Sequence, residues 1–380
     1  MIVDLVGFGI VMPVRPFLVK ELGASATQLG VIAMGYAVAQ FACAPLWGRL
    51  SDRIGRRPVL LMTIAGTALS LAALGLADSL PWILAARVAA GAFAANLGVA
   101  SAYIADVTPE AERTRWMGLL GASFGVGFVL GPLIGGLLVP FGYGVPMLFA
   151  AGLAALNGGF AFAVLREPEA RTAAAGAARA GRLSVLRDPR VRLLCAANLL
   201  FSIAVTQLET LFAFFMRDRF GWDAHHFAWL LVAMAVVMGS VQGGAMKALS
   251  ARFSERALVG GGSALLALAF LALSEMPTVL LLVAPLVAAA VGRGVAQPAL
   301  MSLASLAAPA GGRGAVMGAF QAAGSLARVV GPLAGGVLYD RSLAGPFVLA
   351  GVLMLAVVWL ARRMPARVAA PDAVGEPRPA

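Results

Sequence analysis

Charge is what this sequence lacks most. Asp, Glu, Lys and Arg make up 12% of its 380 residues, while hydrophobic residues make up 61%. A soluble domain carries roughly 25% charged residues. The deficit runs the whole length of the chain, which excludes a soluble globular fold. Cysteine is nearly absent: Cys43 and Cys195 both lie in apolar runs and neither belongs to a CxxC pair. A disulfide framework and a zinc site are excluded on that spacing. No G-x-x-x-x-G-K-[ST] loop is present to cradle a nucleotide, so this chain alone is not ATP-driven. No nucleophile–base or metal-ligand constellation occurs, so the chain is not expected to be an enzyme, nor to hold a metal or cofactor. The two histidines, His225 and His226, fall at the edge of an apolar run and are expected as surface residues of an outer loop.

What is present is apolar length. Mean hydropathy is +0.89, and a membrane-spanning helix needs about 20 mostly apolar residues. Twelve runs qualify: 1–20, 29–48, 59–77, 82–105, 115–139 and 145–165, then 190–216, 226–246, 257–275, 277–300, 314–338 and 345–363. Met1 runs straight into the first of them with no basic flank, so no cleavable signal peptide is expected. An Arg- and Ala-rich segment, 166–189, reads as a cytoplasmic linker between a half at 1–165 and a half at 190–363. The Pro- and Ala-rich segment 364–380 reads as a disordered cytoplasmic tail.

The net charge of +11 does not point to nucleic acid, because the basic residues sit in short clusters between apolar spans. They orient the chain instead. With the first loop outside, only Lys20, Arg217, Arg219 and Arg341 fall on the outer side, and the inner loops and tail hold the excess. Cytoplasmic loops carry such an excess, so both termini are expected in the cytoplasm.

The halves resemble each other. MGLLGASFGVGFVLGPLIGGLL around Gly118 is echoed by MGAFQAAGSLARVVGPLAGGVL around Gly318, at an offset of 200 residues. Each pair crosses the membrane in the same direction. The expected architecture is therefore an all-α polytopic membrane protein of twelve helices in two parallel six-helix halves, which resembles the layout of the major facilitator superfamily.

Three stretches carry that resemblance. GRLSDRIGRRP, 48–58, is a tight basic hairpin in which Gly48 and Gly55 permit close backbone approach and Arg53, Arg56 and Arg57 surround Asp52. It resembles the superfamily's signature between helices 2 and 3, which implies a cytoplasmic latch between the halves. LAARVAAG places Arg87 within the fourth span, where a charge costs roughly 2.5–3.5 kcal/mol. It is similar to the family's fourth-helix motif, with Ala90 in place of the usual Gln. GFVLGPLIGG holds Gly127, Gly131, Pro132, Gly135 and Gly136; its small residues permit close helix packing, with Gly131 expected against the opposite half. It fits the fifth-helix signature of drug:proton antiporters.

With DLVGFGIVMPVRP and LETLFAFFMRDRFGW, nearly the whole chain resembles tetracycline-resistance-type members of that branch. The resemblance implies a bacterial inner-membrane exporter of small amphipathic compounds, driven by the proton gradient and working as a monomer. Such exporters carry further intramembrane acids in the third and ninth helices and a His in the eighth, and this chain carries none there. The substrate is left open.

Two acids lie well inside the expected spans, Asp4 and Glu209. Burial disfavours a charged carboxylate, so both are candidate proton carriers, with Arg87 and Arg328 as intramembrane cations of the same relay. Glu209 shares a helical face with Asn198 and Ser202. Gln40, Asn96, Gln207, Gln242, Gln297 and Gln321 offer further polar groups to a cavity, and Phe201 and Phe212 apolar walls. Two alternatives stand beside export: a proton-coupled nutrient symporter, and a non-transporting membrane receptor on the same fold.

Overall fold

The computed structural model describes residues 2–94, 96–168, 184–308 and 312–364, and every regular element among them is helical. The expected linker, 166–189, lies largely outside the described residues, and the expected tail, 364–380, almost wholly so. In chain order the helices are α1 (Ile2–Glu21), α2 (Ala26–Ile54), α3 (Arg56–Gly75), α4 (Leu80–Phe93), α5 (Asn96–Val107), α6 (Glu110–Leu138) and α7 (Gly144–Val164). They continue with α8 (Pro189–Phe220), α9 (Ala224–Ser240), α10 (Met246–Arg252), α11 (Glu255–Glu275), α12 (Val279–Leu306), α13 (Arg313–Arg341) and α14 (Gly345–Ala361).

Helix occupies all twelve expected spans, and two of the spans are divided. The fourth is α4 followed by α5, with Ala94 leaving the helical region at ψ 44°. The eighth is α9 followed by α10, joined through a π-helical turn at Val241–Ala245. That turn contains Gly243 and Gly244, and π-bulges and glycine pairs are both places where helices kink. Among the described residues, nine helical stretches are long and apolar enough to cross a membrane, and Gly125–Phe141 and Gly345–Ala361 form shorter apolar ones. In lipid a chain must satisfy its backbone internally, which is why helices are retained even across Pro13, Pro16, Pro45, Pro132 and Pro332.

Two compact units are formed. One holds the described residues of Met1–Gly176 with Val205–Val236 and Arg328–Pro346; the other holds those of Ala177–Ala204, Val237–Ala327 and Phe347–Ala380. α8, α9 and α13 thus each contribute one end to the first unit. In that unit Ile10, Val14, Phe17 and Val19 of α1 are fully buried. The Phe17 and Phe212 rings both pack on Phe227, at 5.8 and 5.9 Å between centroids. The second unit is centred on α11 and α12, where the Gly262 and Gly292 backbones approach so closely that a Cβ on either would collide with the other's carbonyl.

Glycine sets the closest packing in the first unit as well. Gly127, Gly131 and Gly135 of α6 lie against the backbone of α1 at Leu5, Gly9 and Ile10. This corrects the expectation for Gly131, whose neighbour is the first helix of its own repeat. The second repeat packs alike: Gly331 and Gly335 of α13 lie against Thr206 and Gln207 of α8. At one position the facing residues also keep the repeat offset: Val6 lies against Gly131 and Thr206 against Gly331.

Gly131→Leu is expected to force α1 off α6 and destabilise the folded protein by about 1–3 kcal/mol or more, as overpacking does. Thermal unfolding in detergent checks this. A melting temperature equal to wild type would show that the seam has slack.

Candidate functional site

The hairpin after α2 is built around Gly55. Its φ of 110° lies where L side chains are strained, and a Cβ there would collide with the Glu167 carboxylate. With no side chain in the way, Glu167 accepts the first two backbone N–H groups of α3, from Arg56 at 2.7 Å and Arg57 at 2.9 Å. An anion at a helix N-terminus satisfies otherwise orphaned donors and suits the helix dipole. Arg56 then spans three partners: Asp52 at 2.7 Å, Ser51 at 2.7 Å and Asp106 at 2.9 Å. Val59 and Leu60 of α3 pack with Val99 and Ala100 of α5 in a small apolar cluster, and this brings Asp106 within reach. Arg57 donates to the Phe162 carbonyl at 2.8 Å. Asp52 and Arg53 are exposed, and Gly48 is half-buried.

At the other end of the helices the two repeats meet through the last glycine of each motif. Gly136 of α6 touches Ala228 in the first turn of α9, and Gly336 of α13 touches Ala26 and Thr27 in the first turn of α2. Each meeting has its own polar lock. At the second, Asp340 accepts the Ala26 and Thr27 N–H groups, both at 2.9 Å, while Ser25 and Gln28 form a reciprocal capping box on the same helix. At the first, His225 Nδ1 lies 2.9 Å from the Gly136 carbonyl and the Trp229 indole lies 3.3 Å from His225 Nε2. An indole N–H only donates, so Nε2 accepts and Nδ1 carries the proton given to Gly136. His225 is therefore a fixed contact and not the plain surface residue expected; His226 is exposed and bonded to Asp223 at 2.7 Å. Nearby, Asp218 binds Lys20 and the Tyr339 hydroxyl, each at 2.9 Å.

These locks shift two exposed acids. Burial alone would raise the Asp340 carboxyl, but hydrogen bonds from Thr27, Ala26 and Ser25 hold it below the ordinary carboxylate range. Burial likewise opposes, and the His226 bonds outweigh it, at Asp223.

The candidate proton carriers are placed on different helices. Asp4 lies in the first turn of α1, half-buried, and accepts from the Asn157 amide of α7 at 3.1 Å. Glu209 lies on α8, half-buried, in the stretch that faces α13. Asn198 and Ser202, on its expected face, belong to the second unit; Asn198 donates to the Phe320 carbonyl at 2.7 Å. Gln207 is fully buried and donates to the Gly331 carbonyl at 3.1 Å. Gln40 donates to the Ala94 carbonyl at 3.2 Å, where the fourth span breaks. Gln242 lies in the π turn, Gln297 accepts from Arg293, and Gln321 is exposed. The Asn96 side chain lies outside the described residues. Phe201 and Phe212 are buried, and Phe212 stacks on Phe215 at 6.1 Å. Arg87 is buried with its guanidinium 4.1 Å from the Tyr36 ring centre, whereas Arg328, on α13, is exposed.

Glu167, Asp340 and the tautomer of His225 were not legible in the sequence. Glu167, Asp340 and the Gly136 carbonyl each lie far along the chain from the group they bond, and no local spacing marks these pairs.

Comparison with known proteins matches these features at full length. The sequence model of the Major Facilitator Superfamily matches residues 1–328 and 215–380. The chain is 34% identical to the class D tetracycline resistance protein of Salmonella ordonez, over 97% of this chain and 96% of that protein. It is 27% identical to multidrug resistance protein 1 of Bacillus subtilis, over 93% of each. Among solved structures, a human organic anion transporter superposes with a TM-score of 0.68 and 27% identity, covering 95% of this chain and 96% of that one.

Asp340→Asn is expected to loosen the α2–α13 contact at neutral pH. In wild type the contact should persist above the ordinary carboxylate pKa of about 3.9 and be lost only as pH falls through the lowered value, because the ionised form is the one bound. Spin-label distances between the exposed ends of α2 and α13 check this. A distance distribution unaffected by the substitution would remove Asp340 from the lock.

Proposed function

The chain belongs to the Major Facilitator Superfamily, and we propose that it exports small amphipathic compounds in exchange for protons. The observation that carries this reading is the full-length relationship to drug-resistance proteins, in a chain that keeps the fifth-helix glycine seam. The relatives named above differ in what they handle, tetracycline in one name and organic anions in another.

The exporter works in a cell membrane as a single chain, with the basic hairpin face and both termini in the cytoplasm. Its halves, 1–165 and 190–363, alternate access to a substrate site, and the proton gradient supplies the energy without a cofactor. Asp4 and Glu209 are the proton carriers. A carboxylate in a dry site is favoured in its neutral form, so each takes up a proton when enclosed and releases it when wetted. Asn157 supports this at Asp4, because an amide N–H bonds a carboxyl oxygen in either protonation state. Arg328, on α13, is the counter-charge of the relay. Gln40, Gln242, Gln297 and Gln321 supply polar groups to the cavity, and Asp52 with Arg53, Arg56 and Arg57 forms the cytoplasmic latch.

The test is simultaneous measurement of pH change and substrate flux in proteoliposomes. Asp4→Asn and Glu209→Gln should both fold, since the neutral form is tolerated. At least one should reduce uphill efflux to background while keeping downhill exchange. If both variants and the double variant still pump against a gradient with normal proton movement, neither acid is the carrier.

A further inference from the structure

Two arginines of the first unit lie within electrostatic reach of each other, with no fixed anion among the described residues to neutralise them. Arg87 of α4 is 5% exposed and lies on the Tyr36 ring of α2. Arg15 of α1 is within electrostatic reach of both Arg87 and Tyr36. The Nε of each arginine is buried and has no hydrogen-bond partner among the described residues. No described carboxylate forms an ion pair with either.

That arrangement is costly in three ways. A guanidinium stays protonated in proteins, so neither charge is relieved by proton loss. Like charges repel most strongly where the surroundings are apolar. A buried N–H without an acceptor forfeits its hydration. Tyr36 offsets part of this through its ring face, for Arg87 alone. Asp4, the acid on the same helix as Arg15, is bonded to Asn157 and stands roughly 16 Å away along α1 at about 1.5 Å per residue. The missing charge is therefore one that comes and goes. Two forked guanidiniums with free Nε–H groups fit a planar oxyanion, which arginine binds through paired parallel hydrogen bonds. The turns before each arginine are apolar, with Val11 and Val14 preceding Arg15 and Ile83 and Ala86 preceding Arg87, which suits an amphipathic molecule.

We propose that Arg15 and Arg87 form a binding site for the acidic group of an amphipathic organic anion, a carboxylate or enolate, and that such anions are the substrate class. This rests on the efflux reading above and adds the charge of the cargo and the residues that select it. Arg15 is the new element: in the sequence it is one basic residue in an apolar run, and only its placement beside Arg87 gives it a role.

The experiment uses the full chain in low-salt proteoliposomes with two probes of one shape, pyrenebutyrate and the uncharged pyrenebutyramide. Binding is read by energy transfer from tryptophan, and flux by pyrene fluorescence. Wild type should bind pyrenebutyrate about tenfold more tightly than the amide, the worth of one charge-assisted hydrogen bond. Arg15→Gln should bring the preference to within about twofold, and Arg15→Lys, which keeps the charge, should retain most of it. Equal binding of the two probes by wild type overturns the proposal without reference to any variant, and so does an unchanged preference in Arg15→Gln. Chloride is titrated in parallel. If it binds while pyrenebutyrate fails to compete, the site holds inorganic anions and the substrate assignment falls. The two readings fail separately: proton-driven flux of the amide with no carboxylate preference removes the anion site and keeps the exporter. Arg15-dependent binding of pyrenebutyrate with no proton-driven flux of either probe keeps the site and removes the exporter.

Discussion

Backbone-to-backbone contact at glycine is the constraint on which the rest of this molecule depends. Hydrocarbon gives helices no hydrophobic reason to associate, so packing must come from close fit. α6 meets α1 through three glycines four residues apart, and α13 meets α8 through two at the matching positions. These seams hold the helices that carry the candidate acids, since Asp4 lies on α1 and Glu209 on α8. The next glycine in each motif, Gly136 or Gly336, reaches across to the other repeat. One motif therefore serves both to build a repeat and to join it to its partner.

The joints at the two ends of the helices use helix termini in opposite ways. At the hairpin, Glu167 occupies the start of α3 and leaves Arg56 to gather Asp52 and Asp106. At the far end, Asp340 occupies the start of α2, whereas His225 answers a carbonyl in the last turns of α6. Such bonds satisfy orphaned backbone groups with few side chains. They involve no covalent link, although the buried Phe17–Phe227 contact lies between the same repeats. A transporter that must exchange one set of contacts for another needs joints of that kind.

Buried charge separates the remaining residues by role. Asp4 accepts from the neutral Asn157 amide, which suits its proposed role as a proton carrier. Arg87 has an aromatic face, and neither it nor Arg15 has a fixed anion among the described residues, as the proposed anion site requires. Gln207, by contrast, is consumed by the α8–α13 seam. Its polarity serves packing, although on sequence grounds it is indistinguishable from Gln40 or Gln321.

Composition and periodicity were enough to determine an all-helical membrane chain of twelve spans, because apolar length and the scarcity of charge are properties of each segment alone. The internal repeat was legible for the same reason: its glycines and proline recur at one offset. The hairpin motif, the intramembrane Arg87 and the isolated Asp4 could be singled out locally. Tertiary structure alone decided the partners. It placed Gly131 on α1, assigned Gly136 and Gly336 to the crossing contacts, and gave Arg56 both Asp52 and Asp106. It also drew in Glu167, Asp340 and Arg15, which no pattern had marked. The physical reason is that a hydrogen bond or a charge pair depends on distance in space, and between helices that distance is set by packing, which leaves no period in the sequence.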